Sequence, residues 1–380
     1  MIRLAAASLV NRKVTAALTV LCIAVSVAML LGVEKLRRDG RLAFANTISG
    51  TDLVVGARGG DIQLLLNAVF RIGNATSNVR WEGYEQISQD RRVQWSVPIS
   101  LGDSHQGFPV LGTIPDYFEH YQYGRRQSLT FAAGNSFAEP LQAVIGAGVA
   151  RTLQYRLGSE IILSHGAGEL TVHDHEAHPF SVVGVLAHTG TPVDQTVHIS
   201  LAGMQQIHDG WEDGRPPSVL HGLTQKHRGE SHESEPANIT AILLGVKRKL
   251  DLFTLQREIN TRTEEPMQAI IPGVALQQLW DLLAVAENLL RVISWIVVAT
   301  GLTSLLIVIV STMEARRREM AVLRAVGATP LNLLGLFVAE AGLLACAGIL
   351  SGIALLYVGL LMAQPIVTEN AGLSLPVSGL

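Results

Sequence analysis

Cysteine is scarce in this chain of 380 residues, which contains only Cys22 and Cys346. Both lie inside long apolar runs, so the polar part of the chain contains no cysteine. That part cannot use intrachain disulfides, whatever redox compartment it occupies. It must be held together by an ordinary hydrophobic core.

The common catalytic signatures are also absent. The sequence has no Gly-Lys dipeptide and therefore no GxxxxGK[ST] phosphate-binding loop, and the nearest glycine-rich stretch, residues 56–60, lacks the lysine. No nucleophile elbow, HExxH or kinase signature occurs. The net charge of -3 does not favour nucleic acid binding. We therefore expect a chain that is not an enzyme in its own right, holds no cofactor of its own and has no nucleic acid partner.

Charge is nearly missing from three long runs. Residues 14–33 contain no charged side chain, residues 289–310 contain only Arg291, and residues 333–362 contain only Glu340. Each run is long enough to cross a hydrocarbon core of roughly 30 Å. A cleaved signal peptide is the alternative for the first run. The run exceeds the usual signal core and no small-residue cleavage site follows Val33, so a retained anchor is favoured.

The sidedness of the spans follows from their basic neighbours. Arg316, Arg317, Arg318 and Arg324 lie between the second and third runs, whereas no basic residue follows Met362. The positive-inside rule therefore puts this loop in the cytoplasm and, by parity, the long segment after the first run outside. Basic residues just after the first run favour the reverse, but long domains translocate largely regardless of charge.

The exported segment has a mixed pattern of strands and helices. Glycine-punctuated apolar runs predict strands near 51–57, 93–101, 108–112, 160–163, 180–187, 196–200 and 239–246, and helices over 62–72 and 143–157. Residues 209–238 are rich in polar residues, Gly and Pro, which predicts a mobile loop. From Gly273 the helical spacing continues without a break into the second span. The predicted fold is an α-helical membrane protein with a large mixed α+β extracytoplasmic domain.

The expected domain boundaries follow from these patterns. They are a cytoplasmic N-terminus (1–13), a first span (14–33), an extracytoplasmic domain (34–272), a stalk helix continuing into a second span (273–312), a cytoplasmic coupling helix and turn (313–330), a third span (333–362) and an extracytoplasmic tail (363–380).

Residues 313–330 are an amphipathic segment between the second and third spans. Gly327 suits a helix C-cap, Thr329 an N-cap and Pro330 the first turn of the next helix. The segment from Glu314, Glu-Ala-Arg-Arg-Arg-Glu-Met-Ala-Val-Leu-Arg-Ala-Val-Gly-Ala-Thr, resembles the cytoplasmic coupling helix of permeases of the MacB, LolC/LolE and FtsX type, the type VII ABC transporters. Residues 182–194, Val-Val-Gly-Val-Leu-Ala-His-Thr-Gly-Thr-Pro-Val-Asp, are similar to the end of the first half of that family's exported domain.

The resemblance implies a bacterial inner-membrane subunit with its large domain in the periplasm. It implies a separate cytoplasmic ABC ATPase dimer that binds ATP, and a second copy or a related permease as partner. The residues that it implies for ATPase coupling are Glu314, Arg317, Arg318, Glu319, Leu323, Arg324 and Gly327. The family's fourth span has no counterpart in residues 363–380, and truncation is favoured over a different topology.

Two further patterns have open interpretations. Gly348 and Gly352 form a GxxxG pattern, which allows close helix packing either between two copies or within one chain. His173, His175 and His178 have a spacing that suits Zn²⁺, and the alternative is a solvated hairpin of no function. A second group of histidines, His221, His227 and His232, lies in the predicted loop.

The predicted function is mechanotransmission, in which ATP hydrolysis by the partner drives movement of the periplasmic domain, with a link to zinc transport and a periplasmic delivery protein. The alternatives are a permease that exports lipoproteins, peptides or drugs, an FtsX-like regulator of a periplasmic partner, and a membrane-anchored metal sensor. Neither the substrate nor the direction of transport follows from the sequence.

Overall fold

The computed structural model describes residues 13–74, 77–165, 179–208, 238–315, 321, 324–325, 327 and 329–371. These residues fall into two compact units. One contains the chain up to Arg41 together with Asp281–Ile366, and the other contains Leu42–Trp280.

The helices, in chain order, are α1 Lys13–Thr47, α2 Asp61–Ala68, α3 Trp81–Ser88, α4 Asp116–His120, α5 Ala147–Leu153, α6 Leu201–His208, α7 Leu252–Thr261, α8 Pro272–Ala315 and α9 Pro330–Ala371. The strands are β1 Leu53–Ala57, β2 Val79–Arg80, β3 Val93–His105, β4 Phe108–Thr113, β5 Gln122–Tyr123, β6 Gln127–Ser128, β7 Phe131–Gly134, β8 Gln142–Ile145, β9 Glu160–Ile161, β10 Ser164–His165, β11 Phe180–Leu186, β12 Val197–Ser200, β13 Asn238–Ile239, β14 Ala241–Val246 and β15 Met267–Ile270.

Among the residues that the structure describes, three helices are long and apolar enough to cross a membrane: Lys13–Thr47, Pro272–Ser304 and Pro330–Gln364. They contain the three predicted spans. The last helix continues to Ala371, which includes the start of the predicted tail. The fold class predicted from the sequence, three spans around a mixed α+β domain, is confirmed.

The unit Leu42–Trp280 is built on an eleven-stranded sheet in the order β15-β1-β14-β3-β4-β12-β8-β11-β7, with β10 beside β3 and β9 beside β11. The long strand β3 joins its two halves. Residues up to Ile99 pair with β14, and residues from Ser100 on pair with β4 and β10. The predicted strands recur at β1, β3, β4, β9, β11, β12 and β14.

The sheet is buried on both faces around β1 and β14. Val54 and Leu243 belong to one hydrophobic cluster, and Val55 and Ile242 belong to another. The first cluster includes residues of α2, and the second includes residues of α3 and α7. Burial on both faces explains why β14 is an unbroken apolar run instead of an alternating one.

The predicted helix over residues 143–157 is correct for Ala147–Leu153 and wrong for the residues before it. Gln142–Ile145 form strand β8, which lies between β11 and β12, and a short helix follows over Ala147–Leu153. Apolar residues on both sides of a short strand cannot be told from one turn of a buried helix by periodicity. The helix ends at Gln154, which has a left-handed backbone with φ 55°.

A group of aromatic residues and one histidine lies in the core of this unit. His198 of β12 is fully buried, with its ring 5.5 Å from Tyr117 and 5.7 Å from Phe118. Its Nδ1 is 3.2 Å from the carbonyl of Val144. Burial, together with the nearby charge of Arg71, lowers the pKa of His198 to about 3, and burial raises the pKa of Tyr117 to about 12.

We expect the buried imidazole to make this unit sensitive to acid. An unfolded histidine takes up a proton near pH 6.5 while folded His198 stays neutral, so stability falls as the pH drops from about 6.5 towards 3. The slope is up to about 1.4 kcal/mol per pH unit. Urea unfolding of the purified chain, followed by tryptophan fluorescence, should show a shallower decline for His198→Gln. An identical pH profile in the variant would contradict this role.

Candidate coupling site and membrane bundle

The turn between α8 and α9 has the predicted cap chemistry. Gly327 has φ 99°, a value that L side chains rarely adopt, and its N–H donates to the carbonyl of Arg324 at 3.0 Å. The carbonyl of Thr329 accepts hydrogen bonds from Asn332 at 3.0 Å and from Leu333 at 3.3 Å. Pro330 is the first residue of α9. The chain thus ends one helix and starts the next within a few residues.

Most of the predicted coupling side chains lie outside the described residues, namely Arg317, Arg318, Glu319 and Leu323. Glu314 belongs to the last turn of α8, and only its backbone is described. Arg324 is exposed, and Gly327, three residues further on, has the left-handed backbone given above. The role of this segment in coupling stays a prediction.

In the membrane bundle, α1 packs against α8 through a small polar residue. The hydroxyl of Ser26 donates to the carbonyl of Cys22 at 2.8 Å on its own helix, and it also lies 3.1 Å from the carbonyl of Val297 on α8. A Cβ on Gly301 would lie 2.8 Å from the Ser26 Oγ, so glycine is what permits this approach. Small residues at helix contacts are typical of membrane bundles, where close packing replaces the hydrophobic effect.

The GxxxG pattern packs α9 against α1. A Cβ on Gly348 would lie 2.5 Å from the Ile23 side chain, and one on Gly352 would lie 2.7 Å from the carbonyl of Ala24. Further along the two helices, Gly32 faces Leu356. Residue numbers rise together along this contact, so α1 and α9 run parallel, as two spans that both lead outward must. The pattern is thus occupied within one chain, and its use between two copies stays a prediction.

Ion pairs join the far ends of α1 and α8. Arg41 Nη2 lies 2.9 Å from Glu287 Oε2, and Arg37 Nη1 lies 4.0 Å from the same atom. Within α1, Lys35 pairs with Asp39 at 2.9 Å, and both side chains are at most 5% exposed. Sequence reasoning missed the pair between Arg41 and Glu287, because these residues are 246 positions apart.

The predicted metal residues His173, His175 and His178 lie outside the described residues, as do His221, His227 and His232. Within the part of the chain that the structure describes, no three His, Cys, Asp or Glu side chains are placed to hold a metal ion. Histidines there have ordinary partners. His105 contacts the carbonyl of Ile162 at 2.6 Å and the hydroxyl of Tyr155 at 3.0 Å, and His120 stacks on Trp95.

The glycine-rich turn after β1 borders a small pocket that is open to solvent. Among the described residues it is lined by Ala57, Gly59, Gly60, Gln63, Leu64, Asn67, Ser77 and Thr240. This lining contains no charged side chain, so it offers none of the lysine chemistry of a nucleotide-binding loop.

The segment matched at residues 182–194 ends in a loop organised by one carboxylate. Asp194 is buried and accepts hydrogen bonds from the N–H groups of Thr189 and Gly190, both at 2.8 Å, and from the Thr189 hydroxyl at 2.9 Å. His188 Nδ1 lies 2.7 Å from Asp194 Oδ2, the oxygen that also accepts the hydrogen bond from Gly190. A Cβ on Gly146 would lie 2.4 Å from the carbonyl of Asp194, so the loop also packs tightly on the start of α5. These contacts give the motif a structural role.

The fold and the bundle together define a multi-pass membrane protein with one large α+β domain between its first and second spans. Two family models match the chain over these same parts. Residues 16–259, more than half of the chain, match the MacB-like periplasmic core domain, and residues 291–380 match the FtsX-like permease C-terminal domain. The chain therefore belongs to the MacB/FtsX-type family of ABC transporter permeases, as the coupling-helix motif predicts. It is a membrane subunit, and the family partners with a cytoplasmic ABC ATPase.

Solved structures that are similar to part of this chain include one periplasmic region and one extracellular domain. The periplasmic region of MacB from Actinobacillus actinomycetemcomitans is 11% identical, with a TM-score of 0.37, over 61% of this chain and 94% of that one. The extracellular domain of the noncanonic ABC-type transporter YknZ from Gram-positive bacteria is 12% identical, with a TM-score of 0.31, over 58% of this chain and 99% of that one. No curated protein matches the chain.

We expect Gly352→Val to disrupt the contact between α1 and α9. The new Cβ would meet backbone, which cannot move aside cheaply, so the cost is about 1–3 kcal/mol. Gly359→Val is the matched control, because nothing lies within 4 Å of its Cβ position. Thermal unfolding in detergent should show a lower midpoint for the first variant only. Light scattering in parallel reports the mass, and a loss of stability that accompanies dissociation of a dimer would contradict an intrachain role.

We expect Asp194→Ala to destabilise the extracytoplasmic unit by about 2–3 kcal/mol, because it leaves buried N–H donors without an acceptor. The exposed Asp116→Ala serves as control. Urea midpoints followed by tryptophan fluorescence test the difference. Equal midpoints for the two variants would show that the loop does not depend on this carboxylate.

Proposed function

We propose that this permease transmits mechanical force from a cytoplasmic ATPase dimer to its periplasmic domain. Closure of the ATPase dimer on ATP moves the segment Glu314–Ala325, and α8 carries the movement outward. The observation that supports this most directly is the continuity of α8, which has 44 residues from Pro272 to Ala315. At 1.5 Å per residue it is about 66 Å long, roughly twice the thickness of the hydrocarbon core.

Two features of the bundle support α8 as the moving part. It is tied to α1 in the apolar region by Ser26 and at the outer end by Arg41 and Glu287, so the two helices move together. The turn at Gly327 separates the coupling segment, which follows α8, from α9, so a force on that segment acts on two distinct helices. Because transmission of this kind uses helix movement, it needs no continuous pore.

The remaining parts of the proposal rest on family membership. The chain pairs with itself or a related permease in a bacterial inner membrane, and a periplasmic protein delivers its substrate. ATP is bound by the partner alone. The zinc link depends on His173, His175 and His178, and it stays a prediction from the sequence.

The test uses the permease purified with its ATPase. Glu319→Lys, Arg324→Glu and Gly327→Leu should each leave membrane insertion intact but uncouple ATP from the periplasmic domain. Gly327→Leu acts through its left-handed backbone, where a side chain is strained by about 1–3 kcal/mol. Hydrogen exchange of the periplasmic domain, compared with and without ATP, should differ in the wild type and lose this difference in the variants.

Gly359→Leu is the matched control for Gly327→Leu, since its position is open and lies within α9. It should keep the ATP-dependent difference in exchange. If all three coupling variants keep it as well, the coupling role is wrong. An FtsX-like regulator would instead retain a periplasmic protein on purification and show no stimulation of its ATPase by a transported substrate.

A further inference from the structure

Two large apolar side chains are exposed where strand β14 leads into helix α7. Leu250 is 85% exposed and Phe253 is 67% exposed, whereas Leu252 and Leu255, on the other side of α7, are buried. Leu250 belongs to the short 3₁₀ turn Lys249–Asp251 that precedes α7. Single apolar residues are ordinary on a protein surface, but two that protrude together from one turn indicate a contact with a partner.

Basic side chains surround these two residues. Lys247 precedes the turn, and its Nζ donates to the carbonyl of Arg91 at 2.9 Å. Arg257 lies one helical turn after Phe253, on the same exposed side of α7. We call this surface the basic apolar patch; it consists of Arg91, Lys247, Leu250, Phe253 and Arg257, all of which are exposed.

The carboxylates next to the patch already have basic partners outside it. The pairs are Asp52 with Lys249, Asp251 with Arg248, and Asp90 and Glu258 with Arg92. Within the described part of the chain, no carboxylate lies within ion-pair distance of Arg91, Lys247 or Arg257. Residues 90–92 and 247–258 together with Asp52 contain six basic and four acidic side chains, so this surface carries an excess of two positive charges.

The patch lies at one end of the large sheet. The segment that contains Lys247 and Leu250 follows the end of β14, where Leu244 pairs with Leu53 at the start of β1. On the other side of β1, Val54 pairs with the last residue of β15. The chain reaches β1 from α1 and leaves β15 for α8. This end of the sheet is therefore the one where the chain arrives from the first span and departs for the second.

An anionic lipid surface matches the patch in both shape and charge. Surfaces that enter a headgroup layer combine Leu and Phe, which reach the acyl boundary, with Lys and Arg, which contact lipid phosphates. A fluid bilayer accepts a protruding turn without a preformed pocket, which a protein partner would have to provide. The membrane that holds α1 and α8 is also tethered to this unit by the same chain, which raises its effective concentration.

We propose that the basic apolar patch docks on the outer surface of the membrane that carries the protein. Leu250 and Phe253 enter the headgroup layer, and Arg91, Lys247 and Arg257 contact the phosphates of anionic lipids. Docking gives the extracytoplasmic unit an attachment to the membrane in addition to α1 and α8. The proposal does not rest on the coupling role, because docking is measured without ATP or the ATPase.

The experiment places a nitrobenzoxadiazole fluorophore at position 250 of the full chain in nanodiscs. Cys22 and Cys346 are replaced by Ala, and Leu250→Cys is labelled. Nanodiscs of phosphatidylcholine and phosphatidylglycerol that contain some headgroup spin-labelled lipid should quench the label, and nanodiscs without phosphatidylglycerol should quench it much less. Lys247→Gln with Arg257→Gln should weaken docking by roughly fivefold for each side chain, the factor that one basic residue near an anionic surface supplies.

Two controls separate docking from general effects of label and charge. Leu157→Cys carries the same label at a position that is 48% exposed and lies beside Gly134 of β7, at the far edge of the sheet, and it should not be quenched. Arg125→Gln with Arg151→Gln removes the same charge from exposed positions elsewhere and should leave the quenching at position 250 unchanged.

Quenching at position 250 that is no stronger than at position 157 would overturn the proposal. Quenching that is independent of phosphatidylglycerol, or that falls equally in the two double Gln variants, would refute the role of the patch in binding anionic lipid. A label at position 250 that stays unquenched in nanodiscs, but shifts its emission to the blue when a periplasmic extract is added, would assign the patch to a protein partner and likewise overturn the lipid proposal.

Discussion

The contact between α1 and α8 constrains the whole membrane unit. In lipid the hydrophobic effect does not hold helices together, so they associate where small residues let their backbones meet. Ser26 and Gly301 provide that contact in the apolar region, and Arg41 with Glu287 provides it at the outer end. The two contacts fix both the distance and the register of the helices. Because α9 packs on α1 through Gly348 and Gly352, the same helix also positions the third span.

The extracytoplasmic unit meets a different constraint, since it has no cysteine and must rely on packing alone. Hydrophobic clusters cover both faces of its sheet, and β3 is the strand that the two halves of the sheet share. Several polar groups that enter this core have hydrogen-bond partners there. Asp194 is surrounded by loop N–H groups, and Tyr121 donates its hydroxyl to the carbonyl of Thr47 at 2.6 Å. Such buried hydrogen bonds specify one arrangement of the loops, because any other would leave the same groups unsatisfied.

Features that depend on local sequence could be predicted, and those that depend on distant partners could not. The three spans and the Gly327 turn follow from hydropathy and cap chemistry, which are local. Strand β8 was mistaken for part of a helix because its burial depends on β11 and β12. Their paired residues lie 39 or more positions away in the sequence, so the spacing within β8 does not reveal them. The partner of Arg41 is likewise invisible. The coupling motif was recognised because its residues are contiguous, whereas most of its side chains lie outside the described part of the chain.

The basic residues after the first span favour one orientation of α1 by the positive-inside rule, whereas the folded structure is compatible with the opposite orientation. Counted by charge alone, Lys35, Arg37, Arg38 and Arg41 favour an inward position for this end of α1. A count of basic residues treats each of them as a separate charge that is exposed to the insertion machinery and to the lipid headgroups. In the folded bundle, Asp39 and Glu287 neutralise Lys35 and Arg41, so the folded protein carries much less net charge at this level than the count suggests. The orientation is therefore compatible with these residues because the acidic partners come from α1 itself and from a helix that follows the entire exported domain.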